Sequence, residues 1–333
     1  MSGNHLVPTI ETDISVKKEI LTLKKINNQF IEVTVYYEFF NPNEAKEIIV
    51  GFEAFQPSGD ADFIPKNGGH PYMRGFTVDL NNEILPHKIT LVSDSLYTKT
   101  ELERNNDYKD YESFGDFFYV YHFNAKFKKG INVVKHTYNY DVSGGIAYNY
   151  YFEYILTAAN RWANKQIDDF TLIIDNGEFE SFDIRKTFFS SKEDWIINGI
   201  GKSKDNTLYE ENNKTVRFYI QKGNLIFHKK NFAPKAELFI ESENFLPNIK
   251  YSVSEQKYLP FSYYLLDYIS EPKDEYEKRV YKNLPFARRG YVFKSAELKD
   301  FYENLDWYIP NPNYIPETET LTKYEKDWIE KYK

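Results

Sequence analysis

Residues 30–40, Phe-Ile-Glu-Val-Thr-Val-Tyr-Tyr-Glu-Phe-Phe, alternate with a period of two. Ile31, Val33, Val35, Tyr37 and Phe39 fall on one face, and Glu32, Thr34, Tyr36 and Glu38 on the other. An extended strand buried on one side turns that spacing into a continuous apolar surface. After the turn signal Asn41-Pro42-Asn43 the pattern resumes through Ile48, Val50, Phe52 and Ala54, and the stretch 12–26 reads as a partner strand. Four more dipeptides, Asn81-Asn82, Lys129-Gly130, Asn176-Gly177 and Lys222-Gly223, each read as the turn of a β-hairpin. Asn and Gly are favoured there because type I′ turns need positive φ at both central residues. Aromatic residues make up 18% of the chain, with 29 Tyr and 27 Phe, a bias that suits a pleated, half-buried surface.

These features predict a mainly β protein with a small α domain: antiparallel β-sandwich lobes followed by a carboxy-terminal helical module. Residues 1–145 form one expected β-sandwich lobe. Residues 146–255 form a second lobe or a continuation of the same sandwich, the division falling near Ser143-Gly144-Gly145. Helical spacing takes over in residues 265–333.

Glu271-Pro272-Lys273-Asp274 reads as a helix start, with Tyr276, Val280, Leu284 and Ala287 at helical intervals after it. Pro285 predicts a kink or break, because it has no N–H to bond residue 281. Gly290 is the expected left-handed residue at the helix end. Ser295 is expected to cap a second helix carrying Leu298, Phe301, Tyr302 and Leu305. A third helix, from about Thr318, is expected to bury Leu321, Tyr324, Trp328 and Ile329.

The run Phe286-Ala287-Arg288-Arg289-Gly290-Tyr291-Val292-Phe293-Lys294-Ser295, followed by Leu298, Phe301-Tyr302, Trp307-Tyr308-x-Pro310 and Leu321-x-x-x-Glu325-Lys326, resembles the bacterial YARHG domain. That family is named for a Tyr-Ala-Arg-His-Gly core. The resemblance implies a compact helical fold in which Phe286, Ala287, Gly290, Tyr291, Phe293, Trp307, Tyr308 and Pro310 are structural. It also implies an extracellular or envelope setting, and no particular activity. Phe286 replaces the Tyr, Arg289 stands where the family usually has His, and Pro285 where it usually has an aliphatic residue.

Chemistry is sparse. A net charge of −8 argues against nucleic acid as a partner, and the absence of cysteine removes disulfides and thiolate chemistry. No apolar run reaches the roughly 18 residues of a membrane span. The polar start Met1-Ser2-Gly3-Asn4-His5 lacks the apolar core of a signal peptide. It reads as a mature terminus of a periplasmic or secreted protein rather than a cytoplasmic one. No phosphate loop, dinucleotide fingerprint or nucleophile elbow is present, and no cofactor or metal site is expected. His122 and His136 are positioned to meet across a hairpin turning at Gly130, where packing is the expected role. Ser58-Gly59-Asp60-Ala61-Asp62 offers two acids in a loop without the other ligands calcium needs. Asp168-Asp169 and the acids Glu101 and Glu103 are the candidate carboxylate pairs.

One local charge bias stands out. Lys278, Arg279, Lys282, Arg288, Arg289, Lys294 and Lys299 face a single acid, Glu297, between residues 278 and 299. Two readings follow: a solvated helix face paired with the acidic β part, or an anion-binding patch of Arg288, Arg289, Lys294 and Lys282. The expected function is a non-catalytic, exported envelope protein that binds a wall polymer, glycan or protein partner. The alternative is a cell-wall glycan or peptide hydrolase using a carboxylate pair, and a third reading is a cytoplasmic interaction protein.

Overall fold

Alternating segments up to residue 243 sort the chain into two hydrogen-bonded sheets. The structure, a computed structural model, describes residues 5–9, 12–55, 57, 64–93, 117–145, 148–207, 214–243, 250–254 and 269–333. In chain order the strands are β1 (His5–Pro8), β2 (Ser15–Ile26), β3 (Phe30–Asn41), β4 (Lys46–Phe55), β5 (Met73–Leu80), β6 (Glu83–Ile84), β7 (Lys88–Ser93) and β8 (Phe117–Phe127). They continue as β9 (Gly130–Asp141), β10 (Tyr148–Tyr154), β11 (Ile167–Asp175), β12 (Glu180–Arg185), β13 (Trp195–Thr207), β14 (Lys214–Phe232) and β15 (Leu238–Glu243). A four-stranded sheet runs β1-β4-β8-β7. An eleven-stranded sheet runs β10-β15-β12-β14-β11-β2-β3-β9-β5-β6, with β13 added to β14.

The alternation read in β3 holds: Ile31, Val33, Val35, Tyr37 and Phe39 are buried, and Glu32 and Thr34 are exposed. So do Ile48, Val50, Phe52 and Ala54 of β4, all buried. The two sheets meet through aromatic contacts. Phe52 of the small sheet lies 5.0 Å from Phe76 and 5.1 Å from Tyr138 of the large one. Such pairs add about 0.5–1.5 kcal/mol each beyond their burial. β11 joins β2 in parallel register, so the large sheet is continuous from the first strands to those after residue 148. The buried cluster is equally continuous, from Leu6 to Ile240.

Three of the four expected hairpins are something else. Asn81-Asn82 does turn a hairpin, with φ of 55° and 70°, between β5 and β6. Lys129-Gly130 instead carries the chain from β8 in the small sheet to β9 in the large one. Asn176-Gly177 connects β11 to β12, which do not pair with each other; both pair with β14. Lys222-Gly223 lies inside β14, where Gly223 at φ 107° faces Gly199 of β13 at φ 146°. A Cβ on either glycine would collide with the backbone opposite. The two strands therefore bend together instead of turning back. The residues that join the sheet core switch from 216, 218 and 220 before the bend to 225 and 227 after it. The requirement for positive φ was legible, but a bend and a turn share it.

The carboxy-terminal module holds α1 (Glu275–Ala287), α2 (Ala296–Glu303) and α3 (Lys323–Lys331). Asp274 caps α1 by accepting the Glu277 N–H at 2.8 Å. The expected break at Pro285 is absent, because α1 runs through it. The Tyr281 carbonyl that Pro285 leaves without an intrahelical partner is taken by the Trp328 indole N–H at 2.7 Å. Ser295 precedes α2 but makes no side-chain capping bond. α3 begins at Lys323, capped reciprocally by Thr322 and Glu325. Leu321 and Trp328 are buried as expected, whereas Tyr324 is 52% exposed and Glu325 takes the inward position.

Candidate functional site

β10, β15, β12, β14 and β13 lie side by side at one end of the large sheet. Tyr150, Phe152, Tyr154, Ile240, Ile184, Val216 and Phe218 point into the common core. On the opposite face, cross-strand register aligns Tyr151, Glu241, Asp183, Arg217 and Lys204 in a single row. Such directly opposed residues have Cβ atoms about 5 Å apart, so their side chains interact.

The row is a network of engaged charges. Asp183 accepts from Thr215 Oγ1 at 2.6 Å, Asn206 Nδ2 at 2.8 Å and Arg217 Nε at 2.8 Å. Arg217 Nη2 reaches Asp183 and Glu243, each at 2.7 Å. Burial opposes the charge on Arg217, but these two carboxylates outweigh it and hold the guanidinium above its ordinary range. Arg185 pairs with fully buried Glu241. Burial raises the Glu241 carboxyl, and Arg185 draws it back in part.

An accessible border of rings lies beside this network. The Arg185 guanidinium sits 4.9 Å over Phe239. Tyr151 is 6.2 Å from Phe239 and 5.8 Å from Tyr148, centroid to centroid. Tyr148, Tyr151, Glu153, Arg185 and Phe239 are all half-buried. The Tyr151 hydroxyl donates to Glu153 at 3.3 Å, and burial raises the Glu153 carboxyl. Three rings, a guanidinium and an acid with raised proton affinity can together stack a flat group and bond to hydroxyls or amides around it.

The basic cluster is divided by the fold. Arg288 is buried, pairs with Glu325 at 3.1 Å and lies 4.0 Å over the Phe179 ring. Arg289 Nη2 donates to Glu325 Oε2 at 2.8 Å while its Nη1 bonds Glu325 Oε1 and the Pro285 carbonyl. Glu325 is fully buried; burial would raise it, but Arg289, the Thr322 N–H and Arg288 hold it below the ordinary carboxylate range. Burial, with Arg289 alongside, lowers Arg288 to about 10 despite Glu325. Lys294 is exposed and Lys282 half-buried; neither meets these two arginines. Gly290 has φ 83°, and a Cβ there would strike the Ile309 carbonyl. That close passage is secured by Tyr308, whose hydroxyl bonds the Tyr291 carbonyl at 2.8 Å. Ala287, Phe293, Trp307 and Tyr308 are buried, Phe286 and Tyr291 half-buried, and Pro310 exposed.

The module seats on the charged row itself. Tyr219 of β14 joins the module's buried cluster. Lys202 of β13 donates to the Leu305 and Tyr308 carbonyls at 3.2 and 3.0 Å, and Lys204 pairs with Asp306. Asp168 and Asp169 do not form a carboxylate pair. Asp168 bonds Lys17, whereas Asp169 bonds His228 and Lys230. Burial would raise Asp168, but the bonds from Lys17, Gln166 and Asn164 keep it low. His122 and His136 lie in different sheets, His122 bonded to Thr90 and His136 to the Thr77 carbonyl. Residues 58, 60, 62, 101 and 103 lie outside the described residues. Among the described residues no group of His, Cys, Asp or Glu is arranged to hold a metal, and no helix is long and apolar enough to cross a membrane.

Residues 262–333 match the YARHG domain, so the chain carries that domain at its carboxy-terminal end. No curated protein matches the chain. A structure from Legionella pneumophila, described as a "putative nutrient binding protein", is similar in fold over the whole chain, covering 100% of this chain and 98% of its own at 14% identity and a TM-score of 0.51. An M1 zinc metallopeptidase from Deinococcus radiodurans overlaps 70% of this chain and 44% of its own, at 9% identity and a TM-score of 0.26.

Proposed function

We propose that this chain is a non-catalytic, exported envelope protein that binds a glycan, wall polymer or protein partner on the outer face of β10, β15 and β12. The observation that carries the reading is the border of half-buried Tyr148, Tyr151 and Phe239 around Arg185. Rigid aromatic rings give contact area at little entropic cost, and the guanidinium and carboxyl beside them supply orientation. Binding without turnover is favoured because the acids of the row are engaged: Asp183 and Glu243 with Arg217, and Glu241 with Arg185. A glycosidase instead keeps two carboxyls opposed across an open gap, one of them carrying a proton for the leaving group. The full-length likeness to a protein described as nutrient binding agrees with this reading, and the YARHG domain agrees with an envelope setting.

The test is equilibrium binding of the full chain to purified peptidoglycan fragments and to neutral soluble polysaccharides. Phe239→Ala and Tyr151→Ala are expected to weaken the productive ligand at least about tenfold each, since base- or ring-stacking contacts are worth on the order of 1–3 kcal/mol. Lys294→Glu, on the exposed side of the module, is expected to leave it unchanged. Loss in Lys294→Glu with full binding by the two ring variants would shift the contact to the basic module and sink the proposed face.

A further inference from the structure

Two imidazoles fasten the small sheet to the large one, and the fold holds both uncharged. His70 lies in the segment between β4 and β5 and is buried. Its backbone N–H donates to the Tyr121 hydroxyl of β8 at 2.9 Å, and its Nε2 lies 3.0 Å from the Phe55 carbonyl at the end of β4. Its Nδ1 accepts the Tyr72 backbone N–H at 3.1 Å. That acceptor role assigns the neutral ring with hydrogen on Nε2. The ring packs 5.0 Å from Tyr119 of the small sheet and 5.3 Å from Tyr140 of the large one.

His136 of β9 makes the second fastening. Its Nδ1 lies 3.2 Å from the Thr77 carbonyl, and its ring 4.7 Å from Phe52 of the small sheet and 4.9 Å from Phe76. Its Nε2 is buried with no hydrogen-bond partner among the described residues. A second proton would place a donor on His70 Nδ1 against the Tyr72 N–H. On His136 it would place a charged N–H among rings with no acceptor.

From this geometry we infer that the seam between the sheets is an acid-released latch: protonation of His70 and His136 frees the small sheet while the helical module stays folded. The Phe55 and Thr77 carbonyls favour the charged rings, but burial outweighs them. Tyr72, Tyr119, Tyr121 and Tyr140 face His70, and Lys66 lies 5.5 Å over the Tyr72 ring. Phe52, Phe76 and Tyr138 face His136, and His87 packs on Phe76. Beyond Tyr138, Tyr37 leads to Glu19, whose carboxyl burial pushes up to about 8. Asp141 and Glu153 act on Tyr140 through their charge; the other groups named are neutral or cationic near pH 6. Burial pushes His70 and His136 down to about 4, and lowers His87 as well. The unfolded imidazoles accept protons at their ordinary 6.5. The latch is therefore fully closed above that pH and weakens as pH falls toward 4. The module has no histidine, and its buried carboxylate Glu325 is held low by two arginines.

Hydrogen exchange by mass spectrometry on the full chain, corrected for intrinsic rates, tests this at about pH 7, 5.5 and 4.5. Relative to a His70→Asn/His136→Phe double variant, which shares the opposing gain from Glu19, protection of peptides from β4, β5, β8 and β9 is expected to fall about tenfold per imidazole at pH 5.5 and on the order of a hundredfold per imidazole at pH 4.5. Module peptides are expected to keep theirs. His136→Phe, which retains a ring against Phe52, is expected to remove one of the two factors, and His70→Asn with it the other. The same pH dependence of body protection in the wild type and the double variant would overturn the latch, as would simultaneous loss in the module. An NMR titration of the wild-type histidines gives a second reading should a variant fail to fold. Two imidazoles titrating below about 5 are expected, and all titrating near the ordinary value would overturn the inference.

Discussion

Glu325 in the helical module and Glu19 in the β body are both buried carboxyls, yet one is charged and the other neutral. Glu325 meets two guanidinia and the N–H of Thr322, and is held ionised. Glu19 faces the core from β2, opposite Tyr37, and burial pushes it to about 8, so it is neutral at pH 7. Depth alone does not set protonation, because both are almost fully buried. What differs is whether the chain brings a cation to the same place. In the module, charge was recruited to hold three separate segments together. In the body, a polar group survives in the core by giving up its charge.

The largest way to break this contrast is Glu325→Gln. It leaves Arg288 and Arg289 buried against a neutral amide, and is expected to cost about 3–5 kcal/mol in urea denaturation. A loss under about 1 kcal/mol would mean that the arginines find other partners and that the clamp is not what orders the module.

Glu19→Gln sharpens the same contrast from the other side. The folded carboxyl keeps its proton up to about 8, whereas the unfolded one loses it near 4.5, so stability falls as pH rises across that window. The amide does not titrate. The variant is therefore expected to gain on the order of 3 kcal/mol over the wild type near pH 8 and little near pH 5, read from paired denaturation curves. A pH-independent difference would show that Glu19 has a counter-charge after all.

Lys202→Met is the smallest. The ammonium bonds the Leu305 and Tyr308 carbonyls, and burial lowers its proton affinity. Its loss is expected to cost about 1–2 kcal/mol and to raise exchange in α2 more than in β9. Equal changes in both would argue that module and body open as one unit.

The strands were legible wherever one face is apolar, as in β3 and β4, since period-two burial is local. The start of α1 at Asp274 and the left-handed Gly290 shortly after its end were legible because such signals are local too. Pro285 misled because the compensating donor, Trp328, lies 43 positions further along the chain, counting from 285 to 328. The basic run from Lys278 to Lys299 also misled as a charge count, since Glu325 lies beyond it and binds its two arginines. The charged row was invisible for a stronger reason. Asp183, Arg217 and Glu241 each sit as ordinary outward residues on three adjacent strands, and only the register of those strands makes them neighbours. Acid and base on separate strands leave no spacing to read.

The paired glycines at 199 and 223 let β14 border β12 with one half and β11 with the other, while β13 follows it from Lys214 to Phe227. The module is attached to β13 and β14 through Lys202, Lys204 and Tyr219, on the half that borders β12. Tension applied at the carboxy terminus is thus led into the longest hairpin in the molecule and distributed along its backbone hydrogen bonds to β11.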